Sequence, residues 1–415
     1  MENNELEQAV IFSLENEFTE SSVPELERLL ETAGAICVHK FIQRSEPEAK
    51  TYIGSGKAKE IAEFCKYNGI SLAVCDDELS PSQIKNLEDI MDGVEVIDRS
   101  MLILEIFKRH AVSAEGKLQV EIAELRYTVP RLIGKGAQLS RQGGGGGGGG
   151  GARRGAGESK LETDRRHVSH RIEALSKELA EMERTRSLQR KSREKSGIPL
   201  VAIAGYTNAG KSTLINRLTD AGILAEDKLF ATLDTTTRKF TLPDGKDILL
   251  TDTVGFIQRL PHHLIKAFRS TLEEVAFADV ICLVCDISDK NCATELDVCE
   301  KLLSELGAGG KPMIKLFNKC DTETDADSVS VSDGIRISAK TGEGIDEFLK
   351  ALTEAINKKS REYALFIPHS DAGIVNKLYS DSTVKSADYT ENGIKVRAVI
   401  AAEHLAAYKK YISEE

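Results

Sequence analysis

The run Leu200-Val201-Ala202-Ile203-Ala204-Gly205-Tyr206-Thr207-Asn208-Ala209-Gly210-Lys211-Ser212-Thr213 decides the fold of this chain. Its first five residues, small or aliphatic, read as a buried strand, and the rest matches G-x4-G-K-[ST] in full. Leu214, Ile215 and Leu218 then take up helical spacing. Strand, glycine turn and helix in that order aim backbone N–H groups at an anion in front of the helix N-terminus. In such a loop Gly205 to Thr213 surround the phosphates, the Lys211 ammonium reaches the outer two, and the Ser212 hydroxyl coordinates Mg2+.

Three more elements follow. Ile248-Leu249-Leu250-Thr251 is an apolar strand ending in Asp252-Thr253-Val254-Gly255. Behind a phosphate loop, Asp252 is placed to hold Mg2+ through its water shell, and Gly255, with no side chain, lets its N–H approach the terminal phosphate. Met313-Ile314-Lys315-Leu316-Phe317 leads to Asn318-Lys319-Cys320-Asp321. A carboxylate at Asp321 accepts two hydrogen bonds from guanine, at N1–H and the 2-amino group. Adenine lacks both donors and would leave polar groups unpaired. Ile335-Arg336-Ile337 then introduces Ser338-Ala339-Lys340, a loop fit to offer backbone contacts to the base oxygen. Together, the four elements predict a GTP-binding domain over residues 197–360. A dinucleotide-binding or kinase role is disfavoured, because Asp321 and the Ser338 loop would have no purpose there.

Upstream the pattern is helical. Leu118, Ile122, Leu125, Val129 and Leu132 step by four, three, four and three, as do Val168, Ile172, Leu175, Leu179 and Met182. Two such stripes predict an antiparallel helical hairpin over 113–196, zipped by an apolar seam. Two helices packed separately would show the same stripes. Between them lie Leu139-Ser140-Arg141-Gln142, nine glycines from Gly143 to Gly151, and Ala152-Arg153-Arg154-Gly155. A glycine run is thin and mobile, and arginines suit phosphates and stack on bases, so Arg141, Arg153 and Arg154 are candidate RNA contacts at the tip (139–157). An inert linker is the alternative.

Residues 1–112 alternate short β-rich runs (Val10–Leu14, Ile36–Phe41, Ser71–Cys75) with helical patterns around Pro24–Glu31, Lys57–Tyr67 and Ser82–Ile90, which predicts a small parallel α/β domain. Gly54-Ser55-Gly56-Lys57 lacks the first glycine and the final hydroxyl of a phosphate loop. Residues 361–415 suggest a small α+β segment, with β-like runs at Leu365–Ile367 and Ile394–Ile400 and a helix around Gly373–Ser380. The expected class is therefore α/β with a mainly parallel nucleotide-binding sheet.

With 415 residues, 41% apolar and 29% charged, the composition is that of a globular protein of several domains. No apolar run nears the ~18 residues of a membrane helix. A polar, acidic start argues against a secretory signal, and eight scattered cysteines without zinc spacing suit reduced thiols in the cytosol. Net charge is −11, yet residues 153–195 carry 13 Lys/Arg against 8 Asp/Glu, one basic surface on an acidic body. Cys282 and Cys285 have CxxC spacing inside an apolar run and read as buried thiols. His167, His170, His262 and His263 read as surface.

The four elements are the fingerprint of the translation-factor-related GTPases, and their surroundings resemble the HflX family. The resemblance rests on Phe230-Ala231-Thr232-Leu233-Asp234-Thr235-Thr236-Thr237-Arg238, Asp252-Thr253-Val254-Gly255-Phe256-Ile257, Leu139-Ser140-Arg141-Gln142-Gly143, Leu161-Glu162-Thr163-Asp164-Arg165-Arg166 and the phosphate loop itself. It extends from Tyr52 to Lys340 and fades past Tyr363; the glycine run is long for the family, and Thr235 stands where proline is common. It implies a monomeric, cytoplasmic GTPase that binds GTP and GDP and associates with the large ribosomal subunit and its rRNA. Roles in splitting or rescuing stalled ribosomes or in ribosome assembly follow, as does weak membrane association. By resemblance Thr232 completes the Mg2+ shell, with Thr235 and Thr236 as rivals. Asn208 occupies the position used by potassium-stimulated relatives, which leaves K+ open as a second cation. Phe256 stands where many GTPases carry a water-orienting Gln, so intrinsic turnover is expected to be slow. Two rivals are open: a GTPase acting on pre-ribosomal particles, and a membrane-recruited signalling switch without RNA.

Overall fold

The computed structural model describes residues 6–16, 19–142, 152–219, 229–230, 236–268, 272, 274–322, 334–357, 360–401 and 405–413. The chain divides into two compact units. One holds residues 1–187 with 226–234 and 254–272, and the other holds 188–225, 235–253 and 273–415.

In the first unit, strands β1 (Glu7–Leu14), β2 (Ala35–Gln43), β3 (Leu72–Cys75) and β4 (Glu95–Asp98) form a parallel sheet in the order β2-β1-β3-β4. Parallel strands need crossovers, supplied by α1 (Thr19–Thr32), α2 (Ser55–Asn68) and α3 (Pro81–Ile90). Val10, Phe12, Ile61, Cys75 and Leu87 fill the core on one face. The Gly54 turn is the N-cap of α2, and Lys57 pairs with Glu60. Strand β4, four residues long, carries no pattern that marked it in the sequence. Helix α4 (Arg99–His110) starts at once on the Asp98 side chain, which accepts from Met101 N–H.

Helices α5 (Ala114–Gln142) and α6 (Ala152–Ser196) follow. Leu118, Ile122 and Leu175 form their buried seam, extended by Leu125, Ile172, Leu179 and Met182, so the two stripes do face each other. Arg171 pairs with Glu121 (2.8 Å) and Arg186 with Glu115, pairings that only an antiparallel arrangement allows. Among the described side chains of α6 Leu175 is the one that is buried, and most of the others are exposed. Arg141 is the next-to-last residue of α5, and Arg153 and Arg154 follow Ala152 in the first turn of α6; the glycine run lies outside the described residues.

A buried charge cluster closes the C-terminal edge of the first sheet. Arg99, 2% exposed, donates to Asp76 (2.9 Å), to Glu25 and to the carbonyl of Gln258 (3.1 Å). Asp76, fully buried, also accepts from Ser22 (2.5 Å) and Arg259 (3.3 Å). Arg259 further pairs with Asp77, whose other partner is the Tyr52 hydroxyl. Phe107 of α4 meets Phe230 and Phe268 edge-on at 4.7 and 4.6 Å.

In the second unit β5 (Leu200–Gly205), β6 (Thr237–Thr241), β7 (Asp247–Asp252), β8 (Val280–Asp286), β9 (Met313–Asn318) and β10 (Ile335–Arg336) form a sheet in the order β10-β9-β8-β5-β7-β6. All neighbours are parallel except β6 and β7. Helix α7 (Lys211–Thr219) leaves β5, and helices α8 (Cys292–Glu305) and α9 (Ile345–Asn357) complete the layers. A second sheet, β11 (Ser360–Ile367), β12 (Ser382–Thr390) and β13 (Gly393–Ala401), is antiparallel in the order β11-β13-β12, and α10 (Gly373–Asp381) covers it through Val375 and Leu378. Cys282 and Cys285 are buried in β8, where burial pushes the Cys282 thiol above its usual range. The chain is thus α/β, with two parallel sheets, a helical hairpin and a small antiparallel sheet. Among the described residues no helix is long and apolar enough to cross a membrane.

Arg99→Met would leave the Asp76 and Glu25 carboxylates short of their shared buried cation. Removing one member of such a cluster costs about 3–5 kcal/mol, to be read as a loss of unfolding free energy in a urea titration. An unchanged midpoint would show that Arg259 alone neutralises the cluster.

Candidate functional site: a phosphate loop and a base-recognition loop on one sheet edge

Strand β5 runs between β8 and β7, and the chain leaves it first to one side and then to the other. This reversal opens a crevice beyond the carboxyl ends of the strands, the place where doubly wound sheets bind ligands. Register puts Ile203 beside Asp252, Gly205 beside Val284, and Asp286 beside Asn318. The ends of β5, β7, β8 and β9 therefore carry the sequence motifs along one edge.

Two glycines fix the loop. Gly205 has φ +153°, and a β-carbon there would lie 2.1 Å from the Val284 carbonyl oxygen. Gly210 has φ +92°, and its β-carbon would lie 2.2 Å from the Asn318 amide nitrogen. No other residue type fits either position. Between them Asn208 takes a left-handed conformation at φ +60°.

Lys211 begins α7 and is buried. Its ammonium donates to the carbonyls of Tyr206 (2.7 Å) and Gly205 (3.2 Å). Burial lowers its pKa, and Asp252 opposes that shift. Ser212 donates its hydroxyl to Asp252 at 3.1 Å. Asp252 is fully buried and accepts from Thr253 N–H (2.9 Å), while the Thr253 hydroxyl is tied to the Ile203 carbonyl (2.9 Å). A hydroxyl and a carboxylate meeting at the mouth of a phosphate loop are hard oxygen donors that suit Mg2+.

The other end of the edge is organised by Asn318. Its amide donates to the Ala209 carbonyl (2.8 Å) and its oxygen accepts from Ala339 N–H (2.9 Å), joining the phosphate loop to the Ser338 loop. Ser338 donates to Asp321 at 2.6 Å, and this bond holds the carboxyl below the usual Asp range. Ala339 is buried, and Lys340 is exposed. Lys319, at φ +64°, pairs with Asp286 (2.6 Å). Asp286 escaped the sequence reading; its signal was its place at the end of the apolar run Val280–Cys285.

Val254, Gly255 and Phe256 are buried within the first unit, as is Phe230. Ala231, Thr232, Leu233, Asp234 and Thr235 lie outside the described residues, and so does any test of which threonine completes a metal shell.

A strand-loop-helix phosphate loop, an Asp at the next strand end and an N-K-x-D element joined to an S-A-K loop define a P-loop GTPase. Comparison with known proteins narrows that class. Family models match along the chain: the N-terminal region of GTP-binding GTPases at residues 20–108, their middle region at 110–193, and 50S ribosome-binding GTPases at 200–319. The GTPase HflX of Lacrimispora saccharolytica is 47% identical over 98% of this chain and 97% of its own length. That of Caldanaerobacter subterraneus is 45% identical over 97% and 92%. A crystal structure of a GTP-binding protein from Sulfolobus solfataricus in complex with GDP is 25% identical, covering 85% of this chain and 99% of that one at a TM-score of 0.45. The chain belongs to the HflX family of GTPases, and its activity is the hydrolysis of GTP.

Asn318→Ala removes both bonds that join the two loops and leaves a buried carbonyl and a buried N–H unpaired. GDP affinity, measured by fluorescent-nucleotide titration, should fall at least tenfold, since each orphaned group costs about 1–3 kcal/mol.

Proposed function

We propose that this GTPase is a ribosome-associated switch. In its GTP form it binds the large ribosomal subunit through the α5–α6 hairpin, and hydrolysis releases it. The step it drives is the splitting or rescue of stalled ribosomes, in the cytoplasm. The hairpin carries this reading: 29 residues of α5 make a lever of about 43 Å at 1.5 Å per residue, ending at Arg141, Arg153 and Arg154. An acidic molecule with one basic arm suits structured RNA better than a protein partner. The match of residues 200–319 to a family of 50S ribosome-binding GTPases supports it. The working division is 1–112, the arm 113–196, the GTPase domain 197–360 and a small C-terminal domain 361–415.

The chemistry is positioning and neutralisation, because phosphoryl transfer passes through a loose transition state. On nucleotide binding Lys211 exchanges the Gly205 and Tyr206 carbonyls for the outer phosphates, while the loop N–H groups cradle the inner ones. Asp321, kept ionised by Ser338, accepts from the guanine edge, and the Ala339 backbone faces the base oxygen. Ser212 and Asp252, with Thr232 by family resemblance, are the residues that would hold Mg2+, which supplies further charge neutralisation when bound. Asn208 is the residue that would favour K+. Phe256 offers water no hydrogen bond, so the free protein turns over slowly and the ribosome completes the site.

The test is GTP hydrolysis with and without purified large subunits, beside a variant lacking residues 142–154. Strong stimulation that vanishes in the variant is expected. No stimulation in either protein would overturn the ribosomal reading in favour of a signalling switch. Asp321→Asn should in addition lower GTP affinity at least tenfold while raising relative affinity for xanthosine triphosphate, since the amide presents a donor where guanine needs an acceptor.

A further inference from the structure

The buried hydroxyls around the phosphate loop are otherwise spoken for: Thr253 donates to Ile203, Ser338 to Asp321 and Ser212 to Asp252. Thr207 is not. It is 6% exposed, its hydroxyl oxygen is sealed from solvent, and it has no hydrogen-bond partner. Thr236, ahead of β6, is the other unpaired hydroxyl among the described residues of this unit. Thr207 differs in sitting inside the turn that holds the anion, between Tyr206, whose carbonyl receives Lys211, and the left-handed Asn208.

An orphaned buried hydroxyl destabilises the fold that contains it, and a valine of the same shape would remove that penalty. A buried polar group without a partner calls for an explanation, and a ligand that pairs it when bound is one. The loop supplies the candidate. Its C-terminal end, Gly210 to Ser212, opens α7 and faces the inner phosphates; Thr207 lies three residues earlier, on the outer limb of the turn. Its place ahead of the helix N-terminus favours the terminal phosphoryl group over the inner ones.

We propose that the Thr207 hydroxyl is a catalytic donor to the terminal phosphoryl group of GTP. It rests unpaired in the free protein and turns to donate its hydrogen to a γ-phosphate oxygen when GTP binds. The inference rests on the nucleotide site described above and adds to it a side chain that distinguishes GTP from GDP. Charge builds on the oxygens of the transferred group, so one more donor aimed there acts in the transition state as well as in the ground state.

The experiment compares Thr207→Val and Thr207→Ser with the parent protein, as the full chain with Mg2+ and without ribosomes. Three readouts are taken: melting temperature without nucleotide, affinities for GDP and for a non-hydrolysable GTP analogue, and single-turnover hydrolysis. Thr207→Val should melt about 2–4 °C higher without nucleotide, because the unpaired group is gone. It should hold GDP within twofold of the parent yet lose about tenfold in analogue affinity or hydrolysis rate. Thr207→Ser should stay near the parent in both nucleotide readouts. Equal losses for GDP and the analogue, or no loss for either, would overturn the proposal, as would a Thr207→Val chain that fails to fold while Thr207→Ser behaves as the parent. A parent protein that binds neither nucleotide would instead sink the site reading on which it rests.

Discussion

The absence of a side chain at Gly210 is the constraint on which the site depends. Because nothing stands there, the Asn318 amide reaches past it to the Ala209 carbonyl, and the same amide oxygen takes the Ala339 N–H. One buried side chain thereby sets the distance between the loop that receives phosphates and the loop that receives the base. Gly205 does the equivalent on the other side, letting the turn lie against the β8 backbone. Rigidity of this kind is what lets a site stabilise charge without reorganising at the moment of reaction.

The polar groups of the phosphate loop differ in how they are paired. Lys211 rests on carbonyls of its own loop, Ser212 rests on Asp252, and Thr207 rests on nothing. Lys211 and Thr207 thus hold donors that phosphate oxygens can take at little loss, whereas Ser212 already meets a carboxylate, a strong acceptor. In the first unit Asp76 accepts from Arg99, Arg259 and Ser22, and the segment Gln258-Arg259 is bound into that network. The segment that follows the Asp252 motif is thus packed with the N-terminal sheet, and the chain order gives no hint of it.

Much of the fold was legible. Strands β1, β3, β5, β7, β8 and β9 are apolar or β-branched runs that are largely buried, and the edge strand β2 was legible from its β-branched residues although most of it is exposed. The hairpin was legible because its seam repeats at helical spacing over several turns. Strands β4, β6 and β12 were not. Strand β4 is four residues long, and β6 and β12 lie at sheet edges, where polar residues such as Arg238, Lys239, Lys385 and Asp388 erase the alternation. Asp286 was missed for a related reason: its partner Lys319 is met only after β8 and β9 pair in register.

What the sequence by itself determined is the chemistry: four short motifs in fixed order, whose residue types follow from phosphate, guanine and the close approach of backbone. These are local demands, and local sequence records them. What only the tertiary structure decided is how distant residues share their charges and contacts. Arg99 with Asp76, Glu25 and Gln258, Asn318 with Ala209 and Ala339, and Phe107 with Phe230 and Phe268 are separated by tens to hundreds of residues. Burial makes each of these contacts strong by excluding water, and burial is a property of the packed chain rather than of any segment in it.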